Sequence, residues 1–89
     1  MRKLRRNEDV IWDEVDGATV FCHTRAGAFF RTNEVGRLIW ETATGRSVEE
    51  VVKRVCEAYP NVSPDRVQRD VTDFIDELIR TGLLEVVDE

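Results

Sequence analysis

Histidine occurs once in this chain, at His23, and cysteine twice, at Cys22 and Cys56. A structural zinc site needs closely spaced Cys and His ligands, and these three residues do not supply a set. Two isolated cysteines in a chain without a secretion signal read as reduced, buried thiols rather than a bridge. No run approaches the roughly 18 consecutive apolar residues of a membrane span. The opening Met1-Arg2-Lys3-Leu4-Arg5-Arg6 is not followed by the apolar stretch of a signal peptide. The expected location is therefore cytoplasmic, with no membrane span. Internal repeats, linkers, low-complexity segments and a glycine-rich phosphate loop are also missing.

The same scarcity argues against catalysis, which needs a nucleophile or acid–base group with a positioned partner in a pocket. His23 and Cys22 are adjacent on an expected strand, and strand neighbours point to opposite faces. The chain is read as a binding protein and not an enzyme, with no cofactor and no metal.

What is present suits one compact domain. Hydrophobic residues make up 42% of 89 residues, too apolar for disorder and too short for two cores. Charge is uneven. Arg2, Lys3, Arg5 and Arg6 hold four of the thirteen basic residues, leaving nine against eighteen acidic residues in the rest. Such an acidic body repels nucleic acid phosphate. Residues 1–8 are read as a flexible basic N-terminal arm, and residues 9–89 as the domain.

Val10 to Val15 and Ala18 to Thr24 have strand character and are joined by Asp16-Gly17, the dipeptide that favours a tight hairpin. With Ala28 to Thr32 they predict a three-stranded antiparallel meander. Asn33 supplies an N-cap oxygen for a helix over Glu34 to Ala43, with Glu34 in its first turn. Ser47 and Glu50 form a capping box before a second helix whose stripe is Val48, Val51, Val52, Val55 and Tyr59. Pro60-Asn61 ends it. Ser63 as cap and Pro64 at the first position open a third helix that buries Val67, Val71, Phe74, Ile75, Leu78 and Ile79. Gly82 is its left-handed C-cap, and Leu83 to Val87 form a last strand or pack against the helix end. The fold class is α+β, winged helix-turn-helix-like, a three-stranded antiparallel sheet followed by three helices, although the strands come mainly before the helices. A meander that ends on a free edge is seldom left unguarded unless something uses it.

The series Trp12…Asp16-Gly17, Gly27-x-Phe29-Phe30-x-x-Asn33-Glu34-Val35-Gly36-x-x-Ile39-Trp40, Ser47-Val48-Glu49-Glu50 and Asp70-Val71-x-x-Phe74-x-x-x-Leu78-x-x-x-Gly82-Leu83-Leu84 resembles the PqqD-like family, from about residue 9 to 85. These are RiPP recognition elements, peptide chaperones that hold the leader of a ribosomally made precursor peptide for its modifying enzymes. The resemblance implies a single PqqD-like peptide-binding domain. It also implies that the leader adds as a strand to the edge Ala28, Phe29, Phe30, Arg31 and Thr32, in a groove walled by Arg66, Val67, Arg69, Asp70, Val71, Asp73, Phe74 and Glu77. Strand addition takes its affinity from backbone hydrogen bonds and its specificity from pockets for alternate side chains. Which helix residues face the groove and which the core stays open at this stage. Alternation puts Phe29 and Phe30 on opposite faces, and Phe30, sharing a face with Ala28 and Thr32, is assigned to the core.

Within the family, Asn33-Glu34-Val35-Gly36…Trp40 and the short chain look more like the stand-alone lasso peptide leader-binding protein. That implies a leader peptidase and a macrocyclase as partners. The alternative is a pyrroloquinoline quinone chaperone working with a radical enzyme. A free edge also permits self-association. A reading of another class is a winged-helix DNA-binding protein, from the second helix, the Pro60-Asn61 turn and the third helix. Against it, the third helix carries Arg66, Arg69 and Arg80 beside Asp65, Asp70, Asp73, Asp76 and Glu77, a poor match to phosphate.

Overall fold

The computed structural model describes residues 2–88, so Met1 and Glu89, the outer bounds of the expected arm and domain, lie outside the described residues. Strands β1 (Arg2–Arg6), β2 (Val10–Val15), β3 (Ala18–His23) and β4 (Ala28–Thr32) come first. Helices α1 (Glu34–Ala43), α2 (Val48–Ala58) and α3 (Pro64–Arg80) follow, and strand β5 (Leu84–Asp88) closes the order. β2, β3 and β4 form the expected antiparallel meander in that spatial order, and β1 pairs with β5 in a second sheet. The class is α+β, with three helices after the meander.

Alternation along the strands decides what the meander buries. Trp12, Phe21 and Phe30 are register partners across the three strands and point to the helices. Phe21 is buried and meets Trp40 of α1 edge to face, with ring centroids 4.8 Å apart, a geometry that aromatic quadrupoles favour. Val51 and Val55 of α2 and Val67, Val71, Ile75 and Leu78 of α3 complete the core with Leu83 and Leu84. At the β2–β3 turn, Asp16 and Gly17 have φ of 51° and 79°, as a type I′ hairpin requires.

The helix ends follow local chemistry in two cases out of three. Asn33 Oδ1 accepts from Gly36 N at 3.0 Å. Ser47 and Glu50 form the full capping box, with Glu50 N donating to Ser47 Oγ at 3.3 Å and Ser47 N donating to Glu50 Oε1 at 3.2 Å. These Ser47 bonds hold the Glu50 carboxyl below its ordinary pKa. Ser63 occupies the cap position of α3, but its side chain makes no cap bond. Pro64 at the first helical position has no N–H to satisfy and has φ already suited to the helix, so the start survives without the serine. At the other end Gly82 has φ of 84°. Gly82 N donates to Ile79 O and Leu83 N to Leu78 O, which is a Schellman motif.

The N-terminus departs most from the sequence reading. Residues 2–6, expected in a frayed arm, are strand β1, in register with β5 from Arg2↔Asp88 to Arg6↔Leu84. Leu4 is only 2% exposed. Its N donates to Arg46 O at 2.8 Å and its O accepts from Gly45 N at 2.9 Å, which ties β1 to the α1–α2 turn. Arg5 meets Glu85 at 2.7 Å and Arg2 meets Asp88 at 3.9 Å. Arg6 lies over the Trp12 and Trp40 rings, at 5.6 and 5.0 Å from their centroids, and donates to Trp40 O at 3.0 Å. The arginines of the segment are engaged within the fold. Exposed ion pairs contribute at most about 1 kcal/mol each, so Leu4 burial and the ladder do most of the ordering.

Candidate functional site

Among the described residues, β4 is paired with β3 on one side and with no strand on the other. In an antiparallel pair every second residue turns its N–H and C=O away from the partner, so the outer edge of β4 presents a row of backbone donors and acceptors. Beside the end of that edge lies a cleft of about 460 Å³. Its walls come from four places: Thr32 and Asn33 at the end of β4, Val35, Gly36 and Ile39 of α1, Val55, Tyr59 and Val62 at the end of α2, and Arg66, Val67, Asp70, Val71 and Phe74 of α3.

Gly36 permits this junction. A Cβ at Gly36 would fall 2.0 Å from Thr32 Oγ1, a separation no side chain tolerates, so only glycine lets the last residue of β4 rest on the first turn of α1. The cap from Asn33 to Gly36 N fixes the same corner. Val67 and Val71 are buried and form the apolar floor, while Phe74 and Tyr59 are half-buried and stand at the sides. Arg66 and Asp70, four residues apart, pair at 3.6 Å on the exposed rim. The arrangement joins a strand edge to an apolar trough with a mixed-charge rim, which suits an extended peptide better than a small polar substrate.

Among the expected site residues, Thr32, Arg66, Val67, Asp70, Val71 and Phe74 come together in the cleft. Ala28 and Phe30 are half-buried on the inner face of the sheet, with Phe30 packed on the core as its alternation implied. Phe29, 74% exposed, and Arg31 point to the outer face of the sheet, away from the cleft. Arg69, Asp73 and Glu77 are exposed and stand outside the lining. At 3.6 residues per turn, Arg69 and Asp73 are carried round to solvent, and Glu77 lies beyond Phe74 along the axis. Asn33, read only as a helix cap, and Val35, Gly36, Ile39, Val55, Tyr59 and Val62 were absent from the sequence reading of the site. Tyr59 carried the available signal, an aromatic residue at the end of α2 just before Pro60, which periodicity assigned to the core stripe.

Away from the cleft, Arg37 is bound by both Glu14 and Glu41, at 2.6 Å to the latter, which raises its pKa. Cys22 and Cys56 are free and half-buried. His23 lies on the inner face, where its Nδ1 accepts from Ala26 N at 3.3 Å. Among the described residues no group of three His, Cys, Asp or Glu is placed to hold a metal ion, and no helix is long and apolar enough to cross a membrane.

The pattern of a meander edge beside a three-helix cleft has relatives. The family model described as "Coenzyme PQQ synthesis protein D (PqqD)" matches residues 18–84, and the chain belongs to this family. Its likeness to the solved structure "TbiB1 in Complex with the TbiA(beta) Leader Peptide" has a TM-score of 0.81 at 30% identity, over 96% of this chain and 99% of that one. "Lasso peptide synthetase B1 complexed with the leader peptide" shares the fold, with a TM-score of 0.81 at 20% identity over 93% of this chain and 98% of that one. Comparison with curated proteins gives no match.

Proposed function

We propose that this protein captures the leader region of a ribosomally synthesised precursor peptide by strand addition to β4 and delivers it to separate modifying enzymes, in maturation of the lasso peptide type. The observation that carries the reading is the unpaired edge of β4 opening beside the apolar cleft between α1 and α3. A solved structure 30% identical in sequence is a complex with a leader peptide, which supports a leader peptide as the ligand of this chain. Backbone pairing along β4 supplies affinity with little sequence demand, and alternate leader side chains enter the trough over Val67 and Val71, between Tyr59 and Phe74. The protein itself performs no chemistry. Its contribution is to raise the local concentration of the substrate at a leader peptidase and a macrocyclase.

The PqqD family description favours one second reading, a peptide chaperone in pyrroloquinoline quinone biosynthesis whose partner is a radical enzyme. Adding the protein to each enzyme with its precursor separates the two, because only the true partner gains rate at limiting substrate.

The direct test is fluorescence anisotropy of a labelled leader peptide from a ribosomally made precursor, titrated with the protein. Saturable binding at micromolar concentration or tighter is expected, weakened about tenfold or more by Phe74→Ala or Tyr59→Ala. An unchanged affinity in both variants would remove the cleft from the mechanism. Binding of random duplex DNA with steep salt dependence and none of the leader would replace the reading with nucleic acid recognition.

A further inference from the structure

The cleft leaves the outer face of the meander unexplained. Ile11, Cys22 and Phe29 are register partners in one row across β2, β3 and β4. Ile11 is 62% exposed and Phe29 74%. The next row on the same face is Asp13, Val20 and Arg31. Exposed Phe29 on an edge strand is a liability that folds usually avoid. Arg31 is exposed too, and among the described residues it has no ion-pair partner. Asp13, the carboxylate of its own row, is two strands away, about 10 Å by the normal spacing of strands.

We propose that β4 reads a bound peptide from both faces of the sheet, with Phe29 and Arg31 selecting an apolar side chain and, two residues along, an acidic one. The inference rests on the strand-addition reading above. It follows from register: a strand added to β4 alternates its side chains, so those entering the cleft side next to Phe30 and Thr32 are interleaved with others that must stand on the outer face beside Phe29 and Arg31. The first continues the apolar row Ile11–Cys22–Phe29 by one strand. The second meets an unpaired guanidinium. Cross-strand pairs of these two kinds, apolar against aromatic and opposite charges, are the ones that stabilise sheets. The order of the two residues in the peptide reports its direction: acidic then apolar for a strand antiparallel to β4, apolar then acidic for a parallel one.

The test is selection of displayed, randomised short peptides on the wild-type protein, on Phe29→Ala and on Arg31→Glu. Both side chains are exposed, and unchanged melting temperatures verify that the variants remain folded. Wild type is expected to enrich Asp or Glu two positions from an aromatic or aliphatic residue. Arg31→Glu is expected to switch the acidic position to Lys or Arg and to bind the wild-type pool about tenfold more weakly, and Phe29→Ala to lose roughly two- to fivefold in affinity together with the apolar preference. Identical preferences and affinities in all three proteins, with binding still lost in Phe74→Ala, would overturn the outer-face assignment and leave the cleft intact. Peptides that bind wild type, Phe29→Ala, Arg31→Glu and Phe74→Ala equally, or no enrichment at all, would overturn the strand-addition reading and this inference with it. An effect of Phe29→Ala on self-association alone would assign the face to a second copy and likewise overturn the proposal.

Discussion

Phe29 and Trp40 are both large aromatic residues, and they illustrate how burial separates binding from stability. Trp40 is fully buried, holds Phe21 edge to face and lies under Arg6. Trp40→Ala is expected to cost about 3–5 kcal/mol in urea denaturation. Phe29→Ala is expected to stay within about 0.5 kcal/mol of wild type. Gly36→Val tests the corner at the cleft: its Cβ would overlap Thr32, so a loss of about 1–3 kcal/mol is expected in the same assay, with weaker leader binding because Thr32 must move. At this scale the sequence was partly legible. The period of two put Phe29 and Phe30 on opposite faces, since alternation is a property of the backbone, while the choice of Phe30 for the core came from its sharing a face with Ala28 and Thr32 beside the start of α1. It could not separate Tyr59, at the cleft, from Val51, in the core, because both sit on one helical stripe and only the position of α3 distinguishes them.

Among the elements, the helix ends were the most legible because their causes lie within four residues. The capping box at Ser47 makes Ser47→Ala cost about 1 kcal/mol in a thermal or urea melt, whereas Ser63→Ala, whose hydroxyl caps nothing, is expected within about 0.5 kcal/mol of wild type. A pH dependence follows from the same box. The folded Glu50 carboxyl is held below its ordinary value by its bonds with Ser47, so the unfolded chain binds the proton more readily. The contribution is therefore complete above the unfolded value and is lost as pH falls through the folded one. Melts stepped down through the carboxylate range are expected to show Glu50→Gln less stable than wild type at neutral pH and converging with it in acid.

For the whole molecule, the decisive contact is between residues about 80 positions apart. Strand β1 was not legible, because Arg-Lys-Leu-Arg-Arg has one apolar residue and its partner β5 lies at the other end of the sequence. Only the folded topology brings Glu85 and Asp88 opposite Arg5 and Arg2. Leu4→Ala is expected to lose about 2–5 kcal/mol, and removal of residues 1–6 to lower the melting temperature far more than salt does, since the exposed ion pairs are the screened part and the Leu4 contact is not. A melting temperature unaffected by the truncation would mean that β1 is dispensable.

With Arg2 opposite Asp88, two residues 86 positions apart lie side by side. A short Gly/Ser linker could join residue 88 to residue 2, and a cut could be opened at the Thr24–Gly27 turn, the kind of surface loop where rearranged chains tolerate one. The circular permutant would begin with β4 itself and keep that strand's outer edge free, so a fused enzyme could be attached within a few residues of that edge.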